Sequence, residues 1–191
     1  PDLNNDNMKF TLYSHTFTIF GEMFAIKKLK CLHENSTTLK KLGFSVHVGS
    51  VVWNQCKHIL SDNSSDTLLI YSSDIKNNTL QPQKYANPEK KNYIQKEGYN
   101  KPVLLINRGY GVGKYNFTYC LLEGGFEYLI ENHLICIQYT QNIEKNELIH
   151  KYNLIINSLQ NEKTHEFITL YFGNNAINTT ELCNILPIYD I

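Results

Sequence analysis

A change of hydrophobic period near residue 140 constrains the fold of this chain more than any other feature. Between residues 42 and 139, short apolar segments alternate with polar residues and are separated by glycine or polar turns. This pattern is typical of antiparallel strands. From about residue 142, apolar residues recur on one helical face: Leu148, Tyr152, Ile155, Ile156 and Leu159. The sequence therefore predicts an α+β fold, with a curved antiparallel β-sheet region followed by C-terminal helices.

The same patterns predict the individual elements. We expect an opening strand within 8–20, a helix over 21–33 and a short helix over 51–60 that carries Trp53. The polar residues 72–101 are predicted to be a long surface loop, and such loops are usually functional or disordered. The remaining elements are strands at 42–48, 67–71, 103–106, 115–122, 126–130 and 133–139, and later helices at 142–159, 161–172 and from 180.

The chain is expected to divide into three segments and to belong to a larger protein. Residues 1–40 are interpreted as a linker and N-terminal extension, 41–140 as a mainly β domain, and 141–191 as a helical segment. The polar start at Pro1, without methionine, favours a piece of a longer protein.

Charge and cysteine content limit the possible functions of the chain and its cellular compartment. The formal net charge is +0, so a basic footprint typical of nucleic-acid binders would require lysines gathered on one face, or another domain. The 5 cysteines include no CxxC pair, which argues against a disulfide framework or zinc site and favours a reducing, cytoplasmic location. Cys120 and Cys136 lie in apolar runs and are interpreted as core residues. The apolar runs are too short to span a membrane, and no membrane role is expected.

The glycine cluster at Gly109, Gly111 and Gly113 does not fit a nucleotide site. A P-loop requires different glycine spacing and Lys-Ser/Thr, whereas Lys114 is followed by Tyr115. A dinucleotide motif opens a helix, whereas the residues after this cluster have a strand pattern. A hairpin turn, or a loop that allows close backbone approach, remains open.

Catalytic motifs are absent from the sequence. There is no Gly-x-Ser-x-Gly elbow and no HExxH metal motif. There is also no Pro-Pro loop of the kind that holds a flipped adenine for methylation, and no glycine motif suited to S-adenosylmethionine. We expect neither catalytic nor metal-binding residues, and no cofactor bound by this chain.

Three stretches in series carry a common pattern: 42–57, 101–111 with 131–134, and the end of the chain from about residue 172. Together they resemble target-recognition domains of adenine-specific DNA methyltransferases from restriction–modification systems. Leu42-Gly-Phe-Ser-Val-His-Val-Gly-Ser-Val-Val-Trp-Asn-Gln-Cys-Lys57 is similar to their Gly-Phe-x-Val-x-x-Gly-x-Val-Val-Trp-Asn-x-x-Lys segment. Lys101-Pro-Val-Leu-Leu-Ile-Asn-Arg-Gly-Tyr-Gly111, with Glu131-Asn-His-Leu134 downstream, is similar to their Arg-Gly-Tyr-Gly … Asn-His segment. The end of the chain, from about residue 172, resembles theirs as well.

The resemblance implies a module that reads double-stranded DNA and positions it for base flipping. A catalytic domain, in the same chain or in a partner subunit, would then bind S-adenosylmethionine and methylate adenine at the N6 amino group. The parent protein, rather than this chain alone, would be the enzyme.

The matching stretches supply the candidate DNA-binding residues. The single arginine, Arg108, can fork onto guanine or hold a phosphate, and asparagine or glutamine amides can pair with adenine. Lysines suit phosphates, and aromatic rings can stack or wedge. The full set is Ser50, Trp53, Asn54, Gln55, Lys57, Asn107, Arg108, Tyr110, Lys114, Asn132 and His133.

Structural interpretations compete with these roles. Trp53 suits a core anchor, Arg108 a surface salt bridge, and the lysines a solvated face. For the whole chain, the alternatives are a protein-interaction or specificity scaffold of a restriction–modification complex, favoured by the neutral charge, and a hydrolase, disfavoured by the lack of clustered acidic residues.

Overall fold

The computed structural model describes residues 11–13, 17–108, 117–172 and 177–189. The helices are α1 (Met23–His33), α2 (Lys145–Leu159), α3 (Glu162–Tyr171) and α4 (Thr179–Asn184). The first strands are β1 (Thr11–Tyr13), β2 (Thr18–Phe20), β3 (Phe44–Val48), β4 (Leu60–Ser61), β5 (Thr67–Ile70) and β6 (Ile75–Lys76). The later strands are β7 (Thr79–Leu80), β8 (Tyr93–Ile94), β9 (Val103–Asn107), β10 (Tyr119–Leu122), β11 (Tyr128–Ile130) and β12 (Leu134–Tyr139).

The chain forms two compact units. The helical unit contains the described residues up to Gly43 and those from Asn153 onward. Its α1 packs against α3, and its core contains Ile26, Leu29, Leu32, Phe167 and Ile168. The amide side chains of Asn161 and Asn178 cap the N-termini of α3 and α4, which satisfies backbone N–H groups that have no partner inside a helix.

The sheet unit contains Phe44–Arg108 and Phe117–Tyr152. One of its sheets has the order β10-β9-β12-β3 and is antiparallel throughout. Another has the order β11-β5-β8-β4, in which only the β11–β5 pair is parallel. Cys120 and Cys136 are buried in the core of the sheet unit, which confirms their interpretation as core residues.

The predicted α+β class is confirmed, as are the helix over 21–33 and the strands at 42–48 and 133–139. The division at residues 40 and 140 remains a prediction. Within the described ranges, no helix is both long and apolar enough to cross a membrane.

The predicted helix over 51–60 is wrong. Val51 forms a β-bridge with Glu131, and two short 3-10 turns, Trp53–Gln55 and Lys57–Ile59, follow before β4. The bridge places Val51 beside Glu131, and the residues before β4 form two separate 3-10 turns instead of one continuous helix.

The predicted surface loop over 72–101 is also wrong in part, because β6, β7 and β8 lie within it. Strand β8 lies between β5 and β4, and Ile94 is fully buried. With a length of two residues, β8 is too short to produce a visible alternation in the sequence. The single opening strand within 8–20 is replaced by an antiparallel pair, β1 and β2.

Candidate nucleic-acid interface

Three segments that are distant in sequence meet at one end of the strands of the sheet unit. The N–H of Val51 donates to the carbonyl of Ile130 (3.1 Å), and the N–H of Asn132 donates to the carbonyl of Val51 (2.9 Å). In β9, Asn107 pairs with Leu134 of β12. We call residues 49–51, 107–108 and 131–133 the strand-end edge. It joins both internal stretches on which the family resemblance rests.

Gly49 permits this close approach. Its N–H donates to the carbonyl of Leu134 (2.9 Å). A Cβ on Gly49 would lie 2.2 Å from the carbonyl oxygen of Glu131 and 2.5 Å from that of Ile130. These oxygens belong to backbone and cannot rotate away, so glycine is required for the segments to meet.

The side chains of Glu131 and His133 interact with each other at the strand-end edge. Glu131 is 2% exposed, whereas 54% of the His133 side chain is accessible. Nδ1 of His133 lies 2.7 Å and 2.9 Å from the two carboxylate oxygens, and the His133 N–H donates to Oε2 (3.0 Å). A buried carboxylate thus orients an exposed imidazole.

Arg108 and Asn132 carry polar atoms that have no partner within the described part of the chain. These atoms are Nε of Arg108 and Oδ1 of Asn132, both shielded from solvent. Buried polar atoms in folded proteins are nearly always hydrogen-bonded, so such exceptions need an explanation. A polar ligand that rearranges these side chains on binding would supply the missing partners.

The segment after Val51 is occupied mainly by structural contacts. Trp53 is half-buried and packs against the core, which favours the core-anchor interpretation. Lys57 forms an ion pair with Glu89 (2.6 Å) and lies 5.7 Å from the Trp53 ring centroid. Asn54 and Gln55 are exposed. Roles of these four residues in DNA binding remain predictions.

The structure therefore brings together five of the candidate residues: Ser50, Asn107, Arg108, Asn132 and His133. Tyr110 and Lys114, with the glycine cluster, lie outside the described residues. The hairpin interpretation of that cluster also remains a prediction.

Sequence reasoning missed a polar cluster in the supposed surface loop. Asp74 is 1% exposed and accepts hydrogen bonds from the N–H of Tyr71 (2.9 Å), the N–H of Gln83 (2.9 Å) and the hydroxyl of Tyr85 (2.6 Å). Nζ of Lys90 lies 4.0 Å from both tyrosine ring centroids. We call these five residues the Asp74 cluster. Only the fold assembles them, and no spacing rule relates them.

Burial is the main cause of the pKa shifts of Tyr85, Tyr71 and Lys90 in this cluster. It raises the pKa of Tyr85 well above its ordinary value, and the hydrogen bond to Asp74 adds to the shift. Burial, followed by the negative charges of Glu131 and Asp74, likewise raises the pKa of Tyr71. Burial lowers the pKa of Lys90, although both carboxylates oppose that change. Tyr71 and Tyr85 therefore stay protonated at neutral pH. Their hydroxyl groups can donate hydrogen bonds, and their ring faces lie beside Nζ of Lys90.

The described residues also bear on metal and thiol chemistry. Among them, no group of three or more His, Cys, Asp or Glu is placed to hold a metal ion. Burial raises the pKa of Cys120 to about 11 and that of Cys136 to about 12, so both thiols stay protonated and unreactive at neutral pH.

Comparisons with known proteins add a distant likeness. No protein-family model and no curated protein matches the chain. Among solved structures, it is similar to the HsdS subunit from Thermoanaerobacter tengcongensis, with a TM-score of 0.34 and 12% identity. The match covers 86% of this chain and 38% of the HsdS chain, so this chain spans well under half the length of that protein.

Proposed function

We propose that the chain is the sequence-recognition module of an adenine-specific DNA methyltransferase in a restriction–modification system. The sheet unit reads double-stranded DNA at the strand-end edge and positions it for base flipping by a separate catalytic domain. The observation that supports this most is the convergence of both internal resembling stretches, 42–57 and 101–111 with 131–134, through backbone hydrogen bonds at that edge.

The side chains at the edge have the chemistry that base reading needs. A guanidinium can donate in parallel to O6 and N7 of guanine, and an asparagine amide can pair with N6 and N7 of adenine. Arg108 supplies the former group, and Asn107 and Asn132 supply the latter. Several donors and acceptors on adjoining strand ends allow more than one base to be read.

Electrostatics sets the strength of this interaction. The chain has 18 basic and 18 acidic residues, and Lys57 and Lys91 are already paired with Glu89 and Asp62. Attraction to the phosphate backbone, which dominates most DNA binding, is therefore small. We infer that the catalytic domain supplies most of the affinity and that this chain supplies the discrimination.

Methyl transfer belongs to the catalytic domain in this proposal. That domain binds S-adenosylmethionine and receives the flipped adenine, and the whole protein works in the cytoplasm. The proposal for adenine rests on the family resemblance. Incubating the isolated chain with labelled S-adenosylmethionine and mixed duplex DNA should leave no label in the DNA above a boiled control.

Selection from a random duplex library at low salt tests the recognition role. The chain should enrich a short consensus, with binding that weakens as salt rises because counterions compete for phosphates. Asn132→Ala should blunt the consensus, whereas His150→Gln, an exposed position on α2, should leave it unchanged. Failure of the wild-type chain to enrich any sequence would contradict the proposal.

An exposed apolar surface on the helical unit favours a second function, as a scaffold that contacts protein. Phe20, Met23 and Phe24 are 73%, 42% and 74% exposed at the start of this unit. Large exposed apolar groups that cluster often mark protein contacts. If the chain recognises DNA, this surface contacts the catalytic domain. If the chain is a scaffold, contact with protein through this surface is its sole function. Phe24→Ser should leave duplex selection intact in the first case, and a scaffold would enrich no duplex at all.

A further inference from the structure

We propose that Glu131 holds His133 in one tautomer, so that Nε2 of His133 is a hydrogen-bond acceptor for the exocyclic amino group of adenine or cytosine. This inference rests on the proposed DNA recognition and names the chemical group that the edge reads. Glu131 is the positioning residue, and His133 makes the contact.

The geometry at Glu131 determines which ring nitrogen carries the proton. Oε2 faces both the N–H of His133 (3.0 Å) and Nδ1 (2.9 Å), and Oε1 lies 2.7 Å from Nδ1. An ionised carboxylate only accepts hydrogen bonds, so Nδ1 must donate. The neutral imidazole then has its lone pair on Nε2.

Two side chains of the Asp74 cluster interact with Glu131. Lys90 interacts electrostatically with it, as does the Tyr71 hydroxyl, which stays protonated. Asp74 is the other carboxylate of this region, and it is occupied by three donors of its own. Glu131 is thus left to hold His133, which comes directly after Asn132 on the strand-end edge.

An acceptor at this position complements the donor on Arg108. In the major groove, guanine presents acceptors, whereas adenine and cytosine present amino groups at N6 and N4. Arginine cannot accept a hydrogen bond, so Arg108 alone cannot recognise an amino group. With Nε2 of His133 as an acceptor, the edge can distinguish adenine and cytosine, which present an amino group in the major groove, from guanine and thymine, which present acceptors there.

Nitrogen NMR on the ¹⁵N-labelled chain tests the tautomer directly, at a pH where the ring is neutral. Wild type should show Nδ1 protonated and Nε2 bare. Glu131→Gln keeps the size of the side chain but can donate as well as accept, so its His133 signals should shift toward a tautomer mixture. A wild-type ring protonated on Nε2 would overturn the inference, whatever the DNA results.

Base analogues test the contact in the consensus duplex obtained by selection. Each adenine is replaced by purine, and each cytosine by 2-pyrimidinone, which removes only the amino group. Wild type should lose about 2- to 10-fold in affinity at one position, the value of one hydrogen bond. His133→Ala should bind the natural duplex more weakly and lose nothing further at that position, and Glu131→Gln should lose most of the discrimination.

The matched control and the outcomes separate this inference from the proposed function. His150→Gln, another exposed histidine, should respond to amine removal as wild type does. If amine removal weakens His133→Ala as much as wild type, the contact is refuted while DNA recognition stands. If wild type enriches no duplex, the proposed function fails, and the contact fails with it.

Discussion

The Asp74 cluster and the strand-end edge are both polar regions of the sheet unit, but they differ in how their polar groups are satisfied. In the cluster, one buried carboxylate accepts three hydrogen bonds, and Lys90 lies between two rings. At the edge, Arg108 and Asn132 each have a buried polar atom without a partner in the described chain.

This difference separates a structural role from a binding role. Polar groups that satisfy one another stabilise the fold and have little capacity left for a ligand. Polar groups that lack a protein partner reduce stability unless water, an ion or a ligand satisfies them, so they keep the capacity to bind. Substitutions of the cluster's polar side chains should therefore affect folding, and substitutions of the polar side chains at the edge should affect recognition.

The largest effect is expected for Asp74→Ala. Losing the acceptor removes the partner of a buried donor on Tyr71 and of part-buried donors on Gln83 and Tyr85, and we expect the free energy of unfolding to fall by about 4 kcal/mol. Urea denaturation measures this. Asp62→Ala, which removes an exposed aspartate that pairs with Lys91 on the surface, should change stability by less than about 1 kcal/mol. Equal effects for the two variants would erase the distinction between the regions.

Gly49→Ala should follow, with a loss of about 3 kcal/mol. The new Cβ would lie 2.2 Å from the carbonyl oxygen of Glu131, so the junction between segments 49–51 and 131–133 must open. Gly21→Ala is the matched control, because the nearest atom to its Cβ is 3.6 Å away, an ordinary contact. If both variants unfold at the same urea concentration as wild type, the close approach at Gly49 does not limit stability.

Arg108→Lys should leave the fold intact and change recognition. If Arg108 reads guanine, losing its forked geometry reduces discrimination at one base pair by about 1–3 kcal/mol. If it holds a phosphate, binding should weaken nearly uniformly across sequences. Affinities of both proteins for a panel of single-base variants of the consensus decide between these outcomes. Identical affinities and preferences would remove Arg108 from the recognition surface.

The smallest effect is expected for Glu89→Gln. This substitution breaks an exposed ion pair, so stability should change by about 0.5 kcal/mol or less. It also releases Lys57, and if Lys57 contacts phosphate, duplex affinity should rise about 2-fold and its salt dependence should steepen. Double substitution with Lys57→Gln tests the origin of the gain, which should then disappear. If the gain in duplex affinity persists in the double variant, its cause is the loss of repulsion between Glu89 and DNA.

The amino-acid sequence alone determined the α+β class, because strand and helix periods are local properties of the chain. The alternation before β12 and the helical spacing after residue 142 were readable without tertiary information. Cys120 and Cys136 were assigned to the core from their apolar neighbours. Short elements were not readable: β8 contains too few residues for a period, and the bridge of Val51 has its partner, Glu131, far away in the sequence.

Only the tertiary structure decided which polar residues belong together. Residues 49–51, 107–108 and 131–133 are separated by tens of positions, and the β9–β12 register with the Val51–Glu131 bridge brings them to one edge. The fold also showed Lys57 paired with Glu89 and Asp74 buried, although the sequence presents both as ordinary surface charges. Hydrogen bonding and burial depend on neighbours that the chain acquires by folding, so no local pattern can report whether a polar group is already satisfied.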